Sequence, residues 1–379
     1  MSEREALLTL LEASYRRGVD VHALIAHFGS AGATLAATPE EWMSVERVGP
    51  AGALALGQLR GAFDAGALLE RMRAVGVEFL AMGEKRFPGL LGAIDFPPLG
   101  LWVRGKVDAL HALCISIVGA RRATAYGLSV GRAMARELAE AGACIVSGLA
   151  RGIDSAAHMG ALEAEGSRTV AVLGTGIDVC YPRENRTLLE RVAARGCAVS
   201  EFPPGTPPHK LNFPRRNRIL SGLSQATIVV EASATSGSLG TAFLALDQGR
   251  DVFAVPGDVG RPLSVGPHRL LQQGAAPLTC AAELVRQYGL ESPGSRVAAA
   301  ELTAQEAALL EMLEVRGTHA DWLAENAPGV LGAAGDAGWQ EVLASLLVKG
   351  AARRLAGNRY CRGAMRLGAG PAATESIES

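Results

Sequence analysis

Short apolar runs alternate with longer segments of helical spacing between residues 113 and 290. The runs are continuous rather than alternating, which is typical of strands buried on both faces of a parallel sheet. The segments between most of them are long enough for a helix. The pattern therefore predicts an α/β fold with a doubly wound, extended Rossmann-like parallel sheet. The six predicted strands are 115–118, 144–147, 169–173, 198–201, 227–231 and 252–255.

The regions on either side of this sheet have a different pattern. Apolar residues recur with helical spacing over 1–82, which predicts a helical N-terminal domain before a sheet domain at 83–290. Within it, Val-Glu-Arg-Val-Gly-Pro at 45–50 resembles a helix-hairpin-helix turn (a SAM-like domain), in which Gly49 permits a tight turn near DNA; a plain helical hairpin has the same pattern.

The polar segment at 291–300 predicts a linker. Helical patterns and a short basic hairpin follow at 301–366, which is the order of a winged-helix domain. A tail at 367–379, rich in Gly, Ala, Ser and Glu, is predicted to be disordered.

Composition narrows the class of protein without revealing a ligand. The chain is 49% hydrophobic and 20% charged, as expected of a globular protein, and its net charge of -1 means that any nucleic-acid binding must come from a local patch. Its six cysteines include no Cys-x-x-Cys pair, so we expect reduced thiols in the cytoplasm. The acidic start and the lack of a long apolar run predict neither a signal peptide nor a membrane span.

Four loops at predicted strand ends combine small residues with the start of a helix. Exposed backbone N–H groups at such helix starts favour an anion, and Arg121 and Arg151 lie among them. Tight turns alone also require such glycines. The loops are 119–127, 147–158, 174–178 and 235–241.

The loops match no standard nucleotide motif. Val179 stands where a dinucleotide fingerprint has its third glycine, and no P-loop sequence is present. Metal-ligand spacing is also missing. We therefore predict no cofactor and no metal.

A proline-rich, basic stretch at 203–218 is the most informative segment. Its five prolines predict a stiff, extended chain over 203–214. No acidic residue occurs between Glu201 and Glu231, whereas four basic residues do, with Phe213 among them. Cations interleaved with an aromatic residue are what single-stranded nucleic acid needs, because phosphates are neutralised and bases stack. The residues are Lys210, Phe213, Arg215, Arg216 and Arg218.

Structural roles remain open for several of these side chains. Phe213 could be a core residue beneath a loop. Arg216 and Arg218 could form ion pairs with Glu231 or Asp154. Asp154 and His158 are four residues apart and could form a catalytic pair, but we expect Asp154 to cap the helix that begins at Ser155 and His158 to be a packed residue.

Six ordered blocks of the chain resemble a known family. Ile-Val-Gly-Ala-Arg-Arg-Ala-Thr-Ala-Tyr-Gly, Ser-Gly-Leu-Ala-Arg-Gly-Ile-Asp-Ser-Ala-Ala-His and Val-Leu-Gly-Thr-Gly-Ile-Asp-Val-Cys-Tyr-Pro-Arg-Glu-Asn resemble three ordered blocks of the DprA (DNA-processing protein A, or Smf) family. Glu-Phe-Pro-Pro-Gly from 201, Phe-Pro-Arg-Arg-Asn-Arg-Ile-Leu-Ser-Gly-Leu from 213 and Ser-Gly-Ser-Leu-Gly-Thr-Ala from 236 resemble three more. Ala120 departs from the family, which often has Ser there.

The resemblance implies a mediator that binds single-stranded DNA, protects incoming DNA in natural transformation and loads the RecA recombinase. It also implies a homodimer without catalytic activity. The family's DNA pocket matches Arg121, Lys210 and Phe213, and the same sheet edge supplies the other expected contacts. With these, the expected DNA-binding residues are Gly119, Arg121, Arg122, Gly148, Arg151, Gly174, Lys210, Phe213, Arg215, Arg216, Asn217, Arg218, Ser236, Gly237 and Ser238.

Two alternative functions remain. The segment 235–241 is similar to the Pro-Gly-Gly-x-Gly-Thr phosphate loop of lysine-decarboxylase-like Rossmann enzymes, which would make the protein a nucleotide enzyme or sensor. Those enzymes place a catalytic Glu next, whereas the first acid here is Asp247. Alternatively, the winged helix could read duplex DNA through Lys349, Arg353, Arg354, Arg359 and Arg362.

Overall fold

The structure is a computed structural model that describes residues 1–290, 302–313, 318–331, 338–349, 351–355 and 358–362. It divides into two compact units, Met1–Glu283 and Leu284–Ser379. The predicted linker at 291–300 and tail at 367–379 lie outside the described residues. None of the described helices is both long and apolar enough to cross a membrane.

The first unit begins with six helices. Most start at a side-chain cap, for example Ser2, which forms a capping box with Glu5. A short turn joins the fourth and fifth helices, and Gly49 has a φ of 58° there, in the region that favours glycine. The helices are α1 (Glu3–Arg17), α2 (Val21–Phe28), α3 (Ala31–Ala36), α4 (Pro39–Ser44), α5 (Gly49–Ala62) and α6 (Ala65–Ala74).

A nine-stranded sheet forms the rest of this unit. Seven of its strands are parallel, and β1 and β2 add an antiparallel edge. The strands are β1 (Val77–Ala81), β2 (Gly100–Gly105), β3 (Cys114–Val118), β4 (Cys144–Ser147), β5 (Arg168–Val172), β6 (Cys197–Ser200), β7 (Ala226–Val229), β8 (Asp251–Ala254) and β9 (Ala276–Pro277).

Helices connect most of the strands of this sheet, as in a doubly wound fold, and α14 follows the last strand. Two short 3₁₀ helices occur at Val107–His111 and Arg183–Asn185. The helices are α7 (Gly89–Gly92), α8 (Ala125–Glu140), α9 (Ile153–Glu163), α10 (Arg186–Arg195), α11 (Asn212–Gly222), α12 (Gly237–Asp247), α13 (Val265–Gln272) and α14 (Ala281–Gln287).

The order of the strands determines where a ligand can bind. The sheet runs β1-β2-β6-β5-β4-β3-β7-β8-β9, so the chain progresses outward from β3 in one direction and from β7 in the other. Connections leave β3 and β7 to opposite sides at this reversal, which opens a crevice beyond their carboxyl ends. Every residue of β3, β4, β6 and β7 is buried, in agreement with the continuous apolar runs.

The second unit contains α15 (Ala304–Glu311), β10 (Thr318–His319), α16 (Ala320–Leu331), α17 (Gly338–Val348), β11 (Ala352–Leu355) and β12 (Arg359–Arg362). Its strands form an antiparallel sheet in the order β10-β12-β11. Leu309, Leu323, Trp339 and Leu346 are buried in its own core. Lys349, expected on a basic surface, forms an ion pair with Glu306 at 2.7 Å.

The predicted α/β fold with a mostly parallel sheet is confirmed, and all six predicted strands are present with ends within two residues. Strands β1, β2 and β9 were not predicted. Residues 77–81, assigned to the helical region, form a strand because they pair with β2 at the sheet edge. The five cysteines whose side chains are described are free thiols.

Candidate functional site

A cavity of about 720 Å³ opens at the carboxyl ends of β3 and β7, where the strand order reverses. Its walls come from the loop after β3, the segment before α11, the first turns of α11 and the start of α12. Ten of the expected residues line it: Gly119, Arg121, Arg122, Lys210, Phe213, Arg216, Asn217, Ser236, Gly237 and Ser238.

An aromatic and cationic corner forms one wall of the cavity. The Cζ atom of Arg121 lies 5.4 Å from the centre of the Phe213 ring, within cation–π range. The Tyr181 ring lies 5.5 Å from that of Phe213, centre to centre. Phe213 is half-buried and lines the cavity, so it has a face available to a ligand as well as protein neighbours.

Gly174 allows the Phe213 ring to occupy this place. A Cβ atom at Gly174 would lie 2.7 Å from Cδ1 of Phe213, closer than van der Waals contact permits. Phe213 itself belongs to the first turn of α11, which begins at Asn212, rather than to an extended loop. The predicted extension over 203–214 is therefore wrong at its end, because Pro214 is compatible with the first turn of a helix.

Three exposed cations surround the cavity without a carboxylate partner. Within the described residues, Arg121, Arg122 and Lys210 form no ion pair. Their positive charge is therefore available to an anion that enters from solvent. We call Arg121, Lys210 and Phe213 the cation–aromatic rim.

The opposite wall is polar and neutral. Ser236 caps α12 by accepting a hydrogen bond from the Ser238 backbone N–H, and its hydroxyl is 2.7 Å from that of Ser238. Asn217 Nδ2 donates to the Gly237 carbonyl at 3.2 Å. Gly237 is exposed, with open space at its Cβ position. This wall offers hydroxyl groups and a helix N-terminus to a ligand.

Two buried groups of opposite charge, Asp154 and Arg216, form the floor of the cavity. Arg216 is only 4% exposed and donates through Nη1 to the carbonyls of Gly148, at 2.8 Å, and Val172. Burial lowers the pKa of Arg216 to about 10, and Asp154 opposes that change. The guanidinium therefore stays charged at neutral pH, and it joins the ends of β4 and β5. We call Asp154 and Arg216 the buried floor.

Asp154 organises the loop after β4 from within. Its Oδ2 accepts hydrogen bonds from the N–H groups of Gly148, at 3.1 Å, and Ala150, at 3.4 Å. Burial raises the pKa of Asp154, whereas Arg216 acts in the opposite direction. The expected helix cap at Asp154 is wrong in detail: α9 begins at Ile153, so Asp154 lies inside its first turn.

Five expected residues do not line the cavity, and their neighbours explain why. Gly148 and Gly174 are buried against side chains of the site. A Cβ atom at Gly148 would lie 2.5 Å from Arg216 Nη2, and one at Gly174 would contact the Phe213 ring. These glycines make room for side chains instead of presenting N–H groups to an anion. Arg151 is exposed and pairs with Glu184, Nη2 to Oε2, at 2.7 Å.

Arg215 and Arg218 both turn towards Glu201. Arg218 forms two hydrogen bonds with its carboxylate, at 2.8 and 2.7 Å, and Arg215 lies 3.6 Å from it. The ion-pairing alternative for Arg218 is correct in kind, but the partner is Glu201 rather than Glu231 or Asp154. Glu231 instead accepts from the backbone and hydroxyl of Thr124, at 2.8 and 2.6 Å.

His158 and Asp154 do not form a catalytic pair at the surface. His158 is fully buried with Nδ1 2.8 Å from Thr169 Oγ1, as expected of a packed residue. Burial lowers its pKa to about 3, so the imidazole is neutral at physiological pH. Within the described residues, no group of side chains is arranged to hold a metal ion.

Sequence reasoning missed several residues of the cavity wall, among them Tyr181, Pro208 and Ser233. Tyr181 had a usable signal, because it follows the glycine loop at 174–178 within the same quoted block. Together the walls present unpaired cations, a half-buried aromatic face and small polar groups. This combination suits a ligand with phosphates and a flat ring.

The family model described as DNA recombination-mediator protein A matches residues 78–289. The chain is 48% identical over 206 residues to Protein Smf of Escherichia coli (strain K12), which covers 54% of each protein. It is 42% identical over 221 residues to DNA processing protein DprA of Bacillus subtilis (strain 168), covering 58% of this chain and 74% of that protein. The match thus spans about half of the Escherichia coli relative.

Two solved structures share the fold. DNA processing protein A from Streptococcus pneumoniae matches with a TM-score of 0.64 and 31% identity, over 74% of this chain and 96% of that one. DNA processing protein A from Helicobacter pylori is described for its single-stranded DNA binding mode. It matches with a TM-score of 0.51 and 30% identity, over 56% of this chain and 95% of that one.

Proposed function

The chain belongs to the DNA recombination-mediator protein A family, and from this premise we propose that its cavity binds single-stranded DNA. The observation that carries the proposal is the cation–aromatic rim: two unpaired cations beside a half-buried ring at the switch point of the sheet. Phosphates would bind Arg121 and Lys210, and one base would stack on Phe213.

The rim fits an unpaired strand better than a duplex. Phe213 is recessed in a cavity of about 720 Å³ next to Tyr181, so a base must leave its stack to reach the ring. Bases in a single strand are free to do so, and each stacked base contributes roughly 1–3 kcal/mol. The bases of a duplex would first have to be unpaired.

The relatives support this assignment. The Helicobacter pylori protein, described for binding single-stranded DNA, shares the fold over most of its length. Relatives named DNA processing protein DprA are 42% and 41% identical to this chain over 221 and 202 residues. We propose the corresponding role here: the protein holds incoming single strands in natural transformation, in the cytoplasm.

We also propose a more specific role for the protein, as a mediator of recombination rather than a catalyst. We propose that the protein loads RecA recombinase onto the bound strand and acts as a homodimer. His158 is buried, neutral and outside the cavity lining, and Asp154 accepts hydrogen bonds from the backbone N–H groups of Gly148 and Ala150; both observations support a binding role.

The terminal regions have separate proposed roles. The helix, strand, two helices and hairpin of the second unit follow the order of a winged helix, which supports duplex DNA as a further partner. The tight turn at Gly49 supports a helix-hairpin-helix-like N-terminal region. The proposed domains are 1–82, 83–290 and 301–366.

Affinity measurements on three single variants test the proposal. We expect Arg121→Ala, Lys210→Ala and Phe213→Ala each to weaken binding to oligothymidylate by about 1–3 kcal/mol, because each removes a phosphate contact or the stacking ring. Fluorescence anisotropy at fixed salt measures the effect. Lys85→Ala and Phe96→Ala are matched controls, since both residues are exposed and lie outside the cavity. Unchanged affinity in all three rim variants would refute the assignment.

A further inference from the structure

A second cavity lies beside the first, along the outer surfaces of α8 and α9. It has a volume of about 870 Å³ and shares Arg121 and Arg122 with the cavity at the strand ends. The two cavities are therefore adjacent at these two exposed arginines. We call this second cavity the α8–α9 groove.

The groove has an excess of positive charge. Arg132 and Arg136 line it together with the two shared arginines, and the only acidic residue in its lining is Glu163. Arg132 pairs with Glu163, and Arg136 lies 3.7 Å from Glu140. The two arginine side chains are 56% and 47% exposed. Exposed pairs of this kind contribute little free energy, so a phosphate can replace the carboxylates.

The bottom of the groove is apolar. Leu128 and Met159 are 38% and 37% exposed there, and both line the groove. The two helices lie close together, since a Cβ atom at Gly160 would be 2.0 Å from the Arg132 carbonyl oxygen. A groove with cations at its edge and an apolar bottom can bind the phosphates of a strand through the cations and the faces of its nucleobases through the apolar side chains.

The length of the groove suits several nucleotides. An α-helix rises about 1.5 Å per residue, so Arg132 and Arg136 are about 6 Å apart along α8, and about 17 Å separate Ala125 from Arg136. The cations therefore form a row that leads away from the first cavity, rather than a single anion site.

We propose that the α8–α9 groove holds the continuation of the DNA strand whose first nucleotides occupy the cavity at the strand ends. The inference rests on the proposed function. Continuity through Arg121 and Arg122 and the charge of the lining favour a polynucleotide over an unrelated acidic protein. The groove makes affinity depend on strand length, because only longer strands reach Arg132 and Arg136.

Binding of short and long oligomers by the full chain tests the groove. The probes are oligothymidylates of about six nucleotides, which fill the first cavity alone, and of about 20 nucleotides, which also reach the groove. For single strands, the logarithm of affinity falls with the logarithm of salt concentration with a slope of about 0.7 per phosphate contact. At ~0.1 M salt, each lost contact therefore lowers the affinity by a factor of about 5, and two lost contacts lower it about 25-fold. We expect Arg132→Ala/Arg136→Ala to lose this factor for the long oligomer and to bind the short one normally.

Matched variants separate a strand path from a general loss of charge. Arg86→Ala/Arg104→Ala removes two ion-paired arginines outside the groove and should leave both affinities unchanged. Ser129→Glu adds a carboxylate at an exposed groove position and should weaken only the long oligomer, whereas Ser129→Gln should not.

Several outcomes would overturn the proposal. Long-oligomer affinity within about twofold of wild type in the double variant contradicts the groove, as does an equal loss for both lengths. Binding of polyglutamate that depends on Arg132 and Arg136, with oligomer affinities unchanged, would assign the groove to an acidic protein. Failure of the unmodified protein to bind the short oligomer would instead refute the proposed function itself.

Discussion

The cation–aromatic rim and the buried floor lie in one cavity and come partly from one short stretch of chain. The charged groups of the rim are exposed to solvent, whereas those of the floor are buried. Lys210 is exposed and without an ion pair in the described chain, whereas Arg216, six residues later, is 4% exposed and bonded to two backbone carbonyls. The rim keeps its charge available to a ligand. The floor uses its charge within the protein.

This difference separates stability from binding. A buried charge that loses its partner is strongly destabilising, because it is then neither paired nor hydrated. An exposed cation is hydrated in the free protein, so its removal changes little until a phosphate binds. We therefore expect floor variants to unfold more easily and rim variants to fold normally and bind weakly.

Arg216→Met should have the largest effect. The substitution leaves Asp154 buried without its cationic neighbour and frees two carbonyls, so we expect a loss of about 3–5 kcal/mol in the free energy of unfolding. Urea denaturation measures it. Arg215→Met, one position away and exposed, is the matched control and should stay within about 1 kcal/mol of wild type. Equal stability of Arg216→Met and wild type would contradict the assigned role of the floor.

His158, which is fully buried and whose pKa Arg216 helps to lower, adds a pH dependence to the fold. Its pKa is lowered to about 3, so between pH 6.5 and 3 the unfolded chain binds a proton that the folded protein does not. The stability present above pH 6.5 is therefore lost as the pH falls, by up to about 1.4 kcal/mol per pH unit.

Urea denaturation at pH 7 and pH 5 detects this contribution. His158→Asn should show a smaller loss of stability between the two pH values than wild type, by about 2 kcal/mol. His209→Asn, at an exposed position, is the control and should retain the wild-type pH dependence. Parallel pH profiles for wild type and His158→Asn would show that this histidine does not set the acid sensitivity.

Gly174→Ala should affect the rim rather than the floor. The added methyl group would displace the Phe213 ring, from which it would otherwise lie 2.7 Å, so we expect oligothymidylate affinity to fall by about 1–2 kcal/mol. In a Phe213→Ala background the same substitution should have little further effect, as a double-mutant cycle of anisotropy measurements would show. Additive losses would mean that Gly174 acts on binding by another route.

Arg151→Ala should have the smallest effect. Its side chain and that of Glu184 are 62% and 54% exposed and the residue does not line the cavity, so we expect little change in either stability or DNA affinity. Denaturation and anisotropy test this together. A tenfold loss of affinity would extend the binding site to the loop after β4.

The strands and the position of the cavity could be predicted from the sequence because continuous apolar runs and small-residue loops are local signals. The edge strands β1 and β2 could not, since a short apolar run fits a helix as well as a strand until its pairing partner is known.

The sequence contains a signal for the burial of Arg216, which the prediction of an extended chain over 203–214 did not use. Once α11 begins at Asn212, Arg216 shares a helical face with Ile219 and Leu220, three and four residues on, and both are buried. The prolines suggested an extended chain, in which the basic residues cannot be told apart. Which cation is exposed therefore depends on where the helix starts.

A structure of the protein with oligothymidylate bound tests the central claim most directly. The account predicts phosphates against Arg121 and Lys210, a thymine on the Phe213 ring, and the Asp154–Arg216 floor unchanged beneath them. A strand bound elsewhere, with the cavity closed by the protein's own side chains, would contradict it.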